Sequence, residues 1–198
     1  MNRYPSPYCR LLAAALLPLL AACSLTAEEV EPALPSGPVN GSNTLAYYAN
    51  GRPTVANNSN NLGTILAGIF GGDTRAVVGQ LRSGGVSLRA TDYLTAQDAG
   101  LSYHVLYLAL SSFHGPGTYP LTRGGTSYQE SSTQNNSPAT PAALTYYPAP
   151  PGPSQVVVTG WDAATRHLQG TFALTAAAPG VAQPVALTDG RFDLILDP

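Results

Sequence analysis

The sequence predicts an all-β domain, an antiparallel β-sandwich or a partly open β-barrel of about ten short strands. Three observations predict it. Beyond residue 43, apolar positions recur at every second residue in stretch after stretch, the spacing of strands with one buried face. The stretches are separated by Asn-Gly, Ser-Gly-Gly, Asp-Ala-Ala-Thr, Asp-Gly and proline clusters, whose chemistry is that of turns. No strand pattern alternates with a helical one, so a parallel sheet of βαβ units is excluded.

The elements follow in order. Thr44–Tyr48 and Arg52–Ala56 flank Asn50-Gly51, the strongest short-range hairpin signal. Arg75–Arg82 and Val86–Asp92 flank Ser83-Gly84-Gly85. In YHVLYLALSSF, residues 103–113, His104, Leu106, Leu108 and Leu110 share one face, and Tyr103, Val105, Tyr107 and Ala109 the other. Both faces are largely apolar, which reads as a central strand with His104 at its opening edge. Gln155–Trp161 is a strand, residues 162–165 a turn, and the next strand turns Leu168, Gly170, Phe172 and Leu174 inward against His167, Gln169, Thr171 and Ala173. A glycine on the inward face predicts that a neighbouring ring fills its space, and Trp161 on the other arm of the hairpin is the candidate. Val185–Leu187, a turn at Asp189-Gly190, and Phe192, Leu194 and Leu196 complete the domain.

One segment breaks the period of two. In NNLGTILAGIFGGD, Leu62, Ile65, Leu66, Ile69 and Phe70 fall at helical spacing, with Asn61 to cap the start and Gly71-Gly72 to end it. A short amphipathic helix near 61–70 is predicted. ESSTQNNSPATPA at 130–142 reads as a long loop, and YPAPPGPS at 147–154 cannot lie within a central strand.

The N-terminus has a different logic. Arg3 and Arg10 precede an apolar run from Leu11 to Ala22. That run suits a secretory signal peptide and is short of the roughly 20 residues that span a bilayer. It ends in Leu20-Ala21-Ala22-Cys23, which resembles the bacterial lipobox: an aliphatic residue, two small ones, then Cys. The resemblance implies cleavage between Ala22 and Cys23, a diacylglycerol on the Cys23 sulfur and acylation of the new amine. At about 0.8 kcal/mol per buried methylene, two or three acyl chains are a permanent membrane anchor. Residues 1–22 are then the signal peptide, 23–43 a flexible tether rich in Glu, Pro and Gly, and 44–198 a single β-domain. The expected location is the bacterial cell envelope, at the outer membrane.

Composition narrows the chemistry. Cleavage removes Cys9 and lipidation occupies Cys23, so the domain has no thiol for a disulfide, a zinc site or a nucleophile. There is no lysine, which excludes Schiff-base chemistry, phosphate-loop lysines and Ser-Lys hydrolases. Loss of Arg3 and Arg10 leaves seven Arg against eleven acids, with no basic stripe to bind nucleic acid. Charged residues are only 10% of the chain, against about 25% in an average protein, as suits an uncharged secreted domain.

LAYYANGRPTVA near the start, GPGTYPLT in the middle, and VVVTGWDAATRHLQGTFAL and VALTDGRFDLIL at the end carry a resemblance. Over roughly residues 44–198 they are similar to small Bacteroidetes envelope lipoproteins of unknown function. The opening hairpin departs from that family in having Pro53-Thr54 where a Trp is frequent. The resemblance implies an envelope β-domain and brings no catalytic residues with it.

Catalytic motifs are absent: no G-x-S-x-G, H-E-x-x-H, phosphate loop or G-x-G-x-x-G occurs. His104, His114 and His167 lie on separate segments, His114 as a turn residue and His167 on the solvated face of its strand. No metal site, cofactor site or calcium loop is expected. The surplus is in aromatics. Of the doublets Tyr47-Tyr48 and Tyr146-Tyr147 one ring each faces outward in a strand, and with Trp161 these are the candidate ligand contacts. The expected function is a non-catalytic, lipid-anchored structural or interaction module. The alternative is a β-domain binding a carbohydrate or small ligand through exposed Tyr and Trp. Expected partners are the membrane, through the lipid on Cys23, and an envelope protein or glycan.

Overall fold

The computed structural model describes residues 43–57, 75–96, 100–132 and 143–198. The helix predicted near 61–70, the cleavage site at Ala22 and Cys23, and residues 23–42 of the tether lie outside the described residues. None of the described residues is helical.

The described residues form eleven strands: β1 (Thr44–Ala49), β2 (Arg52–Asn57), β3 (Val77–Arg82), β4 (Gly85–Ala96), β5 (Gly100–Ser111), β6 (Gly117–Pro120), β7 (Ser127–Ser132), β8 (Leu144–Pro148), β9 (Ser154–Asp162), β10 (His167–Ala177) and β11 (Val185–Ile195). Their hairpins start from local chemistry. Asn50 and Gly51 take φ values of 49° and 82°, the left-handed pair of a type I′ turn. The Asn50 side-chain oxygen then accepts from the Ala186 amide at 2.8 Å while the Asn50 backbone amide donates to the Ala186 carbonyl at 2.9 Å, which docks the turn on β11. In the β9–β10 turn, Asp162 accepts from the Ala164 amide at 2.8 Å and from the Thr165 hydroxyl at 2.8 Å. The Thr165 hydroxyl and the turn amides hold that carboxyl below the usual carboxylate range.

The sheet runs β2-β1-β11-β10-β8-β7-β5-β4-β3, antiparallel throughout, with β9 on β10 and β6 on β9. β8 links its two halves: Leu144–Tyr146 pair with β7, and Tyr147 and Pro148 pair with β10. The rest of that edge of β10 carries β9, so β7–β8 and β9–β6 share the space between β5 and β10. Past β11, Asp197 bridges in parallel to Gln80, its carbonyl accepting from Leu81 at 3.0 Å and its amide donating to Gly79 at 2.8 Å. The sheet thus returns almost to its first edge. The outcome is a nearly closed, barrel-like antiparallel sheet.

The inner face is the core: Leu45, Tyr47, Leu88, Leu106, Leu108, Leu110, Tyr128, Leu168, Phe172, Leu174, Leu187, Phe192 and Leu194 are all buried. β10 alternates as its sequence predicts, with Leu168, Gly170, Phe172 and Leu174 inward.

Two expectations are corrected. Asp189-Gly190 is no turn; it lies inside one continuous strand. The pairings Phe172↔Gly190 and Leu174↔Leu187 on β10, and Ala46↔Arg191 and Tyr48↔Thr188 on β1, each leave one extra residue on β11. Asp189, at φ 51°, is that extra residue of a β-bulge. Both neighbouring strands run straight past it, so β11 absorbs the irregularity and cannot reverse. The bulge shifts the phase: Val185 and Leu187 face inward before it, Gly190, Phe192, Leu194 and Leu196 after it. Nor does Trp161 fill the space at Gly170. A Cβ there would meet the Val157 carbonyl oxygen, the Phe192 ring at 2.6 Å and the Val158 Cα at 3.1 Å. Phe192 lies directly opposite Gly170, whereas Trp161 pairs with Leu168 near the strand's end and packs edge-on against Phe113 at 5.2 Å.

Candidate functional site

The five aromatic residues singled out by sequence divide among three places. Tyr47 and Tyr146 face the barrel interior and are buried, joined through Tyr128: the ring centroids of Tyr47 and Tyr128 are 6.3 Å apart and those of Tyr128 and Tyr146 are 6.0 Å apart. Tyr48 and Tyr147 face outward and are half-buried, Tyr147 beneath the guanidinium of Arg123 at 4.8 Å. Trp161 sits at the far end of the barrel with Phe113. They form no common exposed row.

The interior cluster is polar at one edge. Asp92, His104 and Glu130 lie opposite one another on β4, β5 and β7, on the inward side. His104 is therefore an interior residue, not an edge residue with a partner: its Nδ1 is buried and unbonded, and its ring is 5.7 Å from that of Tyr128. Burial holds its imidazole below the ordinary value, the Glu130 carboxylate opposing and Arg52 assisting, so the ring is neutral at pH 7. Burial raises the Tyr47, Tyr128 and Tyr146 hydroxyls, with nearby carboxylates adding to the effect. The Tyr128 hydroxyl lies in the field of Glu130 without a well-formed hydrogen bond, while that of Tyr146 donates to Glu130 at a long 3.4 Å.

His114 and His167 are not part of this cluster. His114 is exposed in the turn after β5, its Nδ1 2.9 Å from the Ser112 carbonyl. His167 is on the outer face, as predicted, but is not merely solvated: its Nε2 is 2.6 Å from Asp193 Oδ1. The other Asp193 oxygen accepts from Gln169 Nε2 at 2.9 Å. Among the described residues no group of three or more His, Cys, Asp or Glu is placed to hold a metal ion.

Sequence reasoning missed a concave surface on the outer face of the sheet. A groove of about 600 Å³ runs over the outer face of β9, β10 and β11. Val157, Thr171 and Arg191 lie in one cross-strand row at its middle, with Ala173 and Gln155 to one side. Gln169 and Asp193 pair on the other side, where Gly160 leaves the space opposite Gln169 without a side chain. Bulges flank the groove on both outer strands, Asp189 on β11 and Thr159 on β9. Bulges bend and twist the strands that carry them, which makes a sheet face concave. Gln155, Thr159 and Thr171 are exposed, Gln169 is half-buried, and all four are uncharged hydrogen-bonding side chains. The outward positions of β10 were legible in the sequence. The bulges and the burial of Asp193 were not, since they depend on how β9 and β11 pair with the strands beside them. No family model, no curated protein and no solved structure matches the chain.

Proposed function

We infer that this protein is a lipid-anchored module of the bacterial envelope, held at the outer membrane through Cys23, that binds a partner without turning it over. The groove on β9–β11 is its binding surface, and an uncharged oligosaccharide is its ligand. The single observation that carries the ligand class is the lining of the groove. Amides and hydroxyls from Gln155, Thr159, Gln169 and Thr171, together with the charged Asp189, Arg191 and Asp193, surround a floor of Val157 and Ala173, which suits a chain of hydroxyl groups over small apolar patches. Separation of the three histidines supports binding over catalysis: His104 lies inside the wall, His114 in a turn, and His167 against Asp193. The lipobox and the resemblance to Bacteroidetes lipoproteins support the location.

The test is titration of the full chain in detergent micelles with uncharged oligosaccharides, such as N-acetylglucosamine and glucose oligomers. Binding is expected, and the triple variant Gln155→Ala, Thr159→Ala, Thr171→Ala is expected to weaken it at least tenfold with an unchanged melting temperature. Equal binding by the variant, or none by the wild type, rejects the reading.

A further inference from the structure

At the His167 end of the groove on β9–β11, the two polar atoms of one side chain have different fates. Gln169 stands on the middle strand, opposite Asp193 on β11 and Gly160 on β9. Its Nε2 donates to Asp193 Oδ2 at 2.9 Å and lies 3.4 Å from His167 Nε2. Asp193 is held in turn: it is buried, and its other oxygen is 2.6 Å from His167 Nε2. The Gln169 amide is thereby fixed with its nitrogen toward β11. Its oxygen lies on the Gly160 side and takes no hydrogen bond from the described residues.

The backbone beside that oxygen is the second feature. A Cβ built on Gly160 would lie 3.2 Å from Gln169 Oε1, and the three atoms nearest to it all belong to the Gln169 side chain. Gly160 is outside the left-handed region, so its conformation does not demand a glycine. The missing side chain leaves a space one carbon wide beside an oriented acceptor.

An acceptor next to a one-carbon space is the complement of an acetamido group. A secondary amide is planar and trans, which puts its N–H and its methyl carbon on the same side. An oxygen that accepts from the N–H at about 2.9 Å then has the methyl roughly 3–4 Å away. The open Cβ position at Gly160 is at that distance from Oε1. A hydroxyl can donate to the same oxygen but leaves the space beside it unfilled. An ionised carboxylate brings only acceptors, and Asp189 and Asp193 already line this groove.

We propose that this end of the groove is a subsite for an N-acetylated sugar, whose acetamido N–H donates to Gln169 Oε1 and whose methyl sits over Gly160. Asp193 acts through Gln169, as the residue that turns the amide oxygen toward the ligand. The proposal rests on the reading of the groove as an oligosaccharide site and narrows the ligand to oligomers that contain an N-acetylhexosamine.

The experiment is titration of the full chain in detergent micelles with chitotetraose and cellotetraose. These tetramers share one linkage and differ in carrying an acetamido group or a hydroxyl on the second carbon of each sugar. Chitotetraose is expected to bind at least tenfold more tightly, the scale of one matched methyl group or hydrogen bond. Gly160→Ala fills the space, is expected to fold, and is expected to weaken chitotetraose binding at least tenfold and so remove the preference. Gln169→Leu takes away the acceptor and is expected to remove the preference as well. Asp193→Ala, measured where it is folded, is expected to narrow the ratio of the two affinities, whereas an equal loss on both tetramers would overturn the role of Asp193. Equal affinity of the wild type for the two tetramers, or a Gly160→Ala variant that keeps the wild-type preference, would overturn the subsite and leave the groove as an oligosaccharide site. Binding of neither tetramer would overturn both.

Discussion

Asp193 and His167 form a side-chain pair across β11 and β10, Oδ1 to Nε2 at 2.6 Å, on the outer face of the barrel. The carboxylate is 2% exposed although it faces away from the core, because Thr44 on β1 and Gln169 on β10 flank it. Gln169 Nε2 donates to the other Asp193 oxygen at 2.9 Å, so both oxygens of the buried carboxyl group have a side-chain neighbour. Asp193→Ala removes the acceptor of both and is expected to cost about 2–4 kcal/mol in urea denaturation. His167→Ala leaves Gln169 in place and is expected to cost about 1–2 kcal/mol. The reverse order would show that Asp193 is not held as described.

Gly170 and Gly160 face opposite sides of the β9–β10 hairpin and should respond differently to a methyl group. At Gly170 the new carbon meets the Val157 carbonyl and the Val158 Cα, backbone atoms that cannot move alone, as well as the Phe192 ring. Gly170→Ala is therefore expected to destabilise by about 2–3 kcal/mol and Gly170→Val by more, although both are better strand formers. At Gly160 the nearest atom is the Gln169 Oε1, 3.2 Å away at the end of a side chain. Gly160→Ala is expected to stay within about 1 kcal/mol of wild type in the same denaturation series.

Phe172 lies under Gly190, whose added Cβ would fall 2.6 Å from its ring, and it packs on Tyr47 at 5.9 Å. Phe172→Ala opens a cavity where two strands and a tyrosine meet. A loss of about 3–5 kcal/mol is expected by chemical denaturation, and a loss under 1 kcal/mol would contradict the packing.

The Asp189 bulge predicts an asymmetry between deletion and insertion. Without Asp189, the residues Val185, Leu187, Gly190, Phe192, Leu194 and Leu196 alternate without interruption. Deletion of Asp189 is expected to leave a cooperatively folded β-protein with its core facing inward. Insertion of one alanine after Phe192 turns Leu194 and Leu196 outward and is expected to abolish cooperative unfolding. Thermal melts followed by circular dichroism distinguish the two.

Stability should fall on both sides of neutrality. His104 has its folded pKa depressed by burial, so the unfolded chain takes up a proton near ~6.5 that the folded chain refuses, and stability drops as pH falls through that value. Tyr47 and Tyr128 have folded pKa values raised by burial. The unfolded chain then loses protons near ~10 that the folded chain keeps, and stability drops as pH rises past it. Urea midpoints at about pH 5, 8 and 11 should be highest at the middle value. His104→Phe should flatten the acid limb between about pH 5 and 7 and leave the alkaline limb in place.

Cys23→Ala is expected to release the protein from the membrane fraction or leave it unprocessed, as read by detergent partitioning and intact mass. An unmodified Cys23 thiol in the wild-type protein would remove the anchor.

Local chemistry in the sequence sufficed for the strand class, the Asn50-Gly51 hairpin, the β9–β10 turn at Asp162 and the inward face of β10, because each depends on residues within a few positions of one another. Partners distant in sequence decided the rest. Asp189-Gly190 has the composition of a turn, and it is a bulge because β1 and β10, from opposite ends of the chain, pair with β11 on both sides of it. Phe192 occupies the space at Gly170 because β11, and not only β9, lies beside β10. His104 points into the barrel because β4 and β7 both pair with β5. Asp193 is buried because three strands meet around a carboxylate whose own strand shows only alternation. The groove arises in the same way: it is assembled from three strands, and a single strand's sequence carries only one wall of it.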